Sequence, residues 1–179
     1  EYVRVSRAAR KIYSDYTDLI ESFGIDECWI DVTDSEYLFG GGVKIADEIR
    51  ERIKRELGVT VSVGVSFNKV FAKLGSDYKK PDATTVISRE NYKDIVFPLK
   101  VEDLLFVGKS TKNTLNAMGV RTIGQLAATD RELLEDKLGK HGRDLYIYAN
   151  GLEDSPVSSY YEEKDVKVRY AQAVEDFGN

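Results

Sequence analysis

Asp26 and Glu27 are adjacent carboxylates within residues 22–33, SFGIDECWIDVT. Around them Phe23, Ile25, Trp29, Ile30 and Val32 have the β-branched and aromatic character of a sheet element. Charge inside such an element costs on the order of several kcal/mol unless a metal ion or other cation meets it. Successive strand residues point to opposite faces, so both carboxylates reach one ion only where the backbone bends between them. A hairpin tip supplies that bend. A hydrated turn is the competing reading, because adjacent acids recur at Asp47-Glu48, Glu102-Asp103, Glu135-Asp136, Glu153-Asp154, Glu162-Glu163 and Glu175-Asp176, most of them solvated surface.

Residues 62–81, SVGVSFNKVFAKLGSDYKKP, read as a strand running into a helix with Lys69 and Lys73, followed by Lys79 and Lys80. Lys73 and Lys80 are about two helical turns apart and could face the same way. A lysine-studded helix is ordinarily a wet face. Beside carboxylates that hold divalent ions, such lysines complete the parts needed for phosphoryl or nucleotidyl transfer. Two further stretches, Val107, Gly108, Lys109, Ser110 and Thr111, and then Gly139, Lys140, His141 and Gly142, read as glycine turns between short helices. Helix N-termini there would offer backbone amides and about half a positive charge to a phosphate. Gly108-Lys109-Ser110 is not a P-loop, since Asp103 stands where that motif needs glycine, and Gly40 to Gly42 read as a plain loop.

These groups need a scaffold, and 179 residues at 42% hydrophobic content can bury a core in one domain or two small ones. No apolar run is long enough to cross a bilayer and no signal-peptide pattern opens the chain, so a soluble, cytoplasmic protein is expected, with no membrane partner. A single cysteine, Cys28, excludes an internal disulfide and reads as a small core residue; with a lone histidine, His141, it leaves no zinc cluster. The net charge of −5 is uneven: residues 1–63 carry −4, residues 64–125 carry +4 and residues 126–179 carry −5. The basic excess is local, as a phosphate-binding surface requires.

The order of elements places the chemistry. A helical stripe through Val5, Ala9, Ile12 and Tyr16 precedes the acidic hairpin. Residues 43–57 form the clearest helix, with Ala46, Ile49, Ile53 and Leu57 on one face and Gly58 as its stop. A valine-rich strand within 59–67, a helix over 68–77 and a strand over 84–87 complete a first half that alternates α and β. From about Asn91 the chain reads as short helices over 111–118, 123–128, 133–138 and 143–150.

Three strings in this order, FGIDECWIDVT, VSVGVSFNKVFAKLGSDYKKPDATTVI and VEDLLFVGKSTKNTLNAMGVRTIGQLA, resemble Y-family DNA polymerases of the DNA polymerase IV type across residues 1–167. The resemblance implies an α+β fold: a partial ferredoxin-like palm over 1–90, then a small all-helical helix-hairpin-helix thumb over 91–165. The tail 166–179 has no assigned role, and from Val168 the chain does not resemble the family's linker. It implies a lesion-bypass enzyme that adds deoxynucleotides to a primer 3′ end with two Mg²⁺ ions, Mn²⁺ being a possible substitute. Primer-template DNA and deoxynucleoside triphosphates would be its partners, with a sliding clamp for the full-length protein. Asp26 would be a catalytic metal ligand and Glu27 its neighbour near the primer 3′ hydroxyl. Lys80 would contact the triphosphate and Lys73 support it, while the two glycine turns would hold DNA phosphates. Asp31 is not a ligand in the family pattern and would have a surface or hairpin-capping role.

The chain opens on Glu1 and its only methionine is Met118, so it is expected to begin inside a longer polypeptide. The family's first metal-binding aspartate, the fingers and the sugar-selecting aromatic would lie upstream, and the little finger downstream. The isolated chain is therefore expected to be inactive or nearly so. Two rival readings remain: a duplex-binding module without chemistry, and a nucleotide cyclase of the same palm type. The first has no use for Asp26, Glu27 and Lys80, and the second none for the two glycine turns.

Overall fold

In the computed structural model, which describes residues 1–24 and 26–159, the chain divides into two compact units. The described part of the first comprises residues 1–24, 26–61 and 156–159, and the second is residues 62–155. The expectations for 160–165 and for the tail 166–179 fall outside the described residues. The α+β class expected from the sequence is the one observed, with the described strands forming two separate two-stranded sheets.

In the first unit, helix α1 (Tyr2–Ser14) leads into strands β1 (Ile20–Phe23) and β2 (Glu27–Ile30), which pair antiparallel with Phe23 opposite Glu27 and Ile20 opposite Ile30. A one-turn helix, α2 (Glu36–Phe39), precedes α3 (Gly42–Leu57). The apolar stripe of α3 buries Ile45, Ala46, Ile49 and Ile53, and Gly58 ends it at φ 69°, a left-handed conformation that costs glycine little. Ile12 and Tyr16 pack against Ile45, Ile49 and Ile53 to form this unit's core. Arg52 ties α3 to the end of α1 by its 2.8 Å ion pair with Asp15 and lies over the Tyr16 ring.

The second unit opens with strand β3 (Val63–Ser66), helix α4 (Lys69–Tyr78) and strand β4 (Thr84–Ile87). The strands pair in parallel, Val63 opposite Thr84, so α4 is a crossover lying on the sheet. Two glycines allow that approach. A Cβ on Gly64 would lie 1.9 Å from the Ala72 carbonyl oxygen, and one on Gly75 would lie 2.9 Å from the Gly64 Cα. Asn68 starts α4 by accepting the Phe71 amide at 2.8 Å. Helix α5 (Tyr92–Val96) and a 3-10 turn (Val101–Asp103) follow, then α6 (Lys109–Ala117), α7 (Ile123–Ala127), α8 (Arg131–Leu138) and α9 (Lys140–Ala149).

One apolar core joins α4 and β4 to this helical set: Val70, Phe71, Leu74 and Ile87 pack with Leu115, Ile123, Leu126, Leu134 and Leu145. The packing of the chain divides at 61/62, not near residue 90.

Candidate functional site

The acidic pair sits on the hairpin as its sequence implies: Asp26 lies in the turn and Glu27 is the first residue of β2. Asp26 is exposed and Glu27 half-buried, so the buried-charge cost that singles out this pair in the sequence does not apply to Asp26. The turn keeps its carboxylate in water. The Tyr2 hydroxyl at the start of α1 donates to Asp26 Oδ2 at 2.6 Å, and this hydrogen bond, with slight burial and the charges of Asp26 and Glu27, raises the phenol's pKa. Two oxygen donors at one bend suit Mg²⁺, which is commonly held by one or two carboxylates together with water and phosphate oxygens. Among the described residues no group of three or more His, Cys, Asp or Glu gathers into a metal-binding cluster. Asp31 caps instead: its Oδ1 accepts the Thr33 amide at 3.0 Å and the Thr33 hydroxyl at 2.6 Å.

Lys73 and Lys80 are brought together, though not by helix phase alone. Helix α4 ends at Tyr78, Lys79 is extended, and Asp77 gathers the two ammonium groups. Lys73 Nζ lies 2.7 Å from Asp77 Oδ2 and Lys80 Nζ lies 2.9 Å from Asp77 Oδ1. Burial alone would raise the Asp77 pKa, but hydrogen bonds and charge from both lysines outweigh it and hold the carboxyl below its ordinary value. Asp77 is the member of this candidate site that sequence reasoning missed. Its signal is the acid-to-lysine spacing of four between Lys73 and Asp77 within α4, with Lys80 three residues beyond Asp77 and past the helix end.

The two glycine turns differ from each other. At the first, Gly108 caps α6 and is exposed with Lys109 and Ser110, and no side chain satisfies the first-turn amides. Thr111 is half-buried, as is Val107, whose amide already donates to the Leu104 carbonyl at 3.1 Å. At the second, the expected four-residue turn contracts to Gly139 alone, because α9 begins at Lys140. Gly142 is buried within α9, with its amide donated to the Gly139 carbonyl at 3.0 Å. A Cβ there would stand 2.1 Å from the Leu134 carbonyl oxygen, so Gly142 lets α8 and α9 touch. The capping pattern separates the four helices after the 3-10 turn. Helices α7 and α8 satisfy their own amides through Thr122 and Asp130, whereas α6 and α9 start at exposed glycines with no side-chain cap.

Comparison with known proteins finds relatives of the chain in both sequence and fold. Residues 1–77 match the family model described as impB/mucB/samB (IMS). DNA polymerase IV of Acetivibrio thermocellus is 62% identical over 157 residues, a match covering 88% of this chain and 39% of that protein. The structure of DinB from Sulfolobus solfataricus superposes with a TM-score of 0.78 at 28% identity, covering 88% of this chain and 47% of that one. An insertion ternary complex of Dbh DNA polymerase gives a TM-score of 0.78 at 26% identity, covering 87% and 46%. The chain spans about two fifths to one half of the length of these relatives. Over 88% of its length the chain is similar in sequence to a DNA polymerase IV and in fold to DinB, a likeness to the DinB-type Y-family DNA polymerases.

Proposed function

We propose that this chain is the core of a lesion-bypass DNA-directed DNA polymerase, residues 1–90 contributing palm and residues 91–165 a helix-hairpin-helix thumb. The observation that carries the reading is the meeting of Lys73 and Lys80 at one carboxylate, which forms a compact cationic pair of the kind a nucleotide's polyphosphate needs. Asp26 and Glu27 are the residues that would hold Mg²⁺, or Mn²⁺ in its place. When bound there, a pair of such ions would supply activation of the primer 3′ oxygen and neutralisation of charge on the departing pyrophosphate. The chain's own side chains bind and orient: Asp26 is steadied by the Tyr2 hydroxyl, and the lysines receive the triphosphate. Two-metal chemistry also calls for a further bridging carboxylate, so the 179 residues alone should extend a primer poorly or not at all. A sliding clamp belongs to the same reading as a partner of the full-length protein.

For DNA the seats are Gly108, Lys109 and Ser110 at α6, and Gly139 and Lys140 at α9. Their uncapped, exposed helix starts offer amides to phosphate without reading bases. The same feature would serve a duplex-binding module without chemistry, and only Asp26, Glu27 and the lysine pair distinguish the two readings. The test is duplex binding by this chain, followed by fluorescence anisotropy of a labelled primer-template. Affinity should fall steeply with salt and vary little with sequence. Affinity that is flat between low and moderate salt would defeat the assignment.

A further inference from the structure

We propose that Asp77 is a built-in counter-anion: it occupies the Lys73 and Lys80 ammonium groups until a polyphosphate exchanges for it, and so sets how tightly that polyphosphate is held. The inference rests on the reading of the lysine pair as a polyphosphate site. Both carboxylate oxygens are used, Oδ2 at 2.7 Å from Lys73 and Oδ1 at 2.9 Å from Lys80, so the pair is half-neutralised before any ligand arrives. The three side chains differ in their access to water. The Lys73 side chain is 18% exposed, Asp77 40% and Lys80 61%. Lys80 can therefore swing from the carboxylate to an incoming anion while Lys73 stays anchored. The depressed Asp77 pKa keeps the carboxylate charged at neutral pH, so the counter-charge is in place whenever ligand approaches.

The sign of the effect follows from charge. A carboxylate within a few ångströms of a bound polyanion repels every phosphate charge, and this outweighs the help it gives by ordering one exposed lysine. Removing it should tighten polyphosphate binding by roughly tenfold at low salt, with the gain shrinking as salt screens the repulsion. A purely structural Asp77, acting only to stiffen the end of α4, would give the opposite sign or none.

The experiment is calorimetric titration of the chain with inorganic tripolyphosphate at low and moderate salt. It compares wild type, Asp77→Asn, Asp77→Ser, Asp77→Glu, the Lys73→Met/Lys80→Met double variant and that double variant with Asp77→Asn added, all checked for native circular dichroism. Asp77→Asn and Asp77→Ser should each bind about tenfold tighter than wild type, and Asp77→Glu within about twofold of it. The gain should vanish in the lysine-free background. Lysine-dependent binding that Asp77→Asn and Asp77→Ser leave unchanged or weaken would overturn the counter-anion role while sparing the polyphosphate site. Binding indifferent to the lysines, or no binding by any variant, would overturn both.

Discussion

Gly64→Ala tests how helix α4, and with it Lys73, is held in place. The new Cβ would stand 1.9 Å from the Ala72 carbonyl oxygen, 2.6 Å from the Ser76 amide nitrogen and 2.9 Å from the Ala72 carbonyl carbon. All three are backbone atoms, so no side-chain rotation relieves the clash and α4 must move about an ångström off β3. That helix carries Val70, Phe71 and Leu74, each no more than 3% exposed, into the second unit's core. Overpacking a well-packed core costs about 1–3 kcal/mol, and a backbone-to-backbone clash belongs at the top, about 3 kcal/mol. For a chain of this size that lowers Tm by about 6–12 °C. Urea and thermal melts followed by far-UV circular dichroism measure it. Gly108→Ala is the control: nothing lies within 4 Å of its added Cβ, and it should cost only the cap preference, about 0.5 kcal/mol. A Gly64→Ala variant within about 0.5 kcal/mol of wild type would show that α4 does not rest on β3 as described.

Two further outcomes are expected. Burial, aided by the nearby Cys28 and opposed by Arg10, pushes the Tyr13 phenol up to about 12 from its ordinary 10. The unfolded chain therefore loses this proton first, so the stabilisation is complete below pH 10 and disappears as pH rises towards 12, a loss of up to about 2.7 kcal/mol. Tyr13→Phe should flatten the stability profile across that window in denaturant melts, and an unchanged profile would refute the assignment. In the duplex titration, Lys109→Ala and Lys140→Ala should each weaken binding for every sequence and reduce the log-log salt slope by about 0.9. An unchanged slope in both variants would remove those lysines from the interface.

Much of the local structure was legible because its signals are short-range. The α3 stripe and its Gly58 stop, the Thr84–Ile87 strand and the bend carrying Asp26 and Glu27 follow from residue type and spacing. Features set by contact with distant chain were not. The parallel pairing of β3 with β4 depends on Gly64 and Gly75 admitting a helix against the sheet, and Gly75 inside an apolar helical pattern was the available cue. Gly142 reads locally as a turn residue, yet its place in α9 comes from the close contact with Leu134 on α8. Short helices such as α2 and α5 carry too few residues for a periodicity to declare itself. At the candidate site, the sequence offers Asp26, Glu27, Lys73 and Lys80 as candidates, but not the exposure of Asp26 or the gathering of two lysines by Asp77.

The most direct test of the central claim is an electron paramagnetic resonance titration of Mn²⁺ against this chain, the Asp26→Ala variant and the Glu27→Ala variant. The free aqua-ion signal should be depleted by wild type and substantially less by either variant, because both carboxylates contribute ligands. Three superimposable titrations would contradict the claim and leave the acidic hairpin an ordinary hydrated turn.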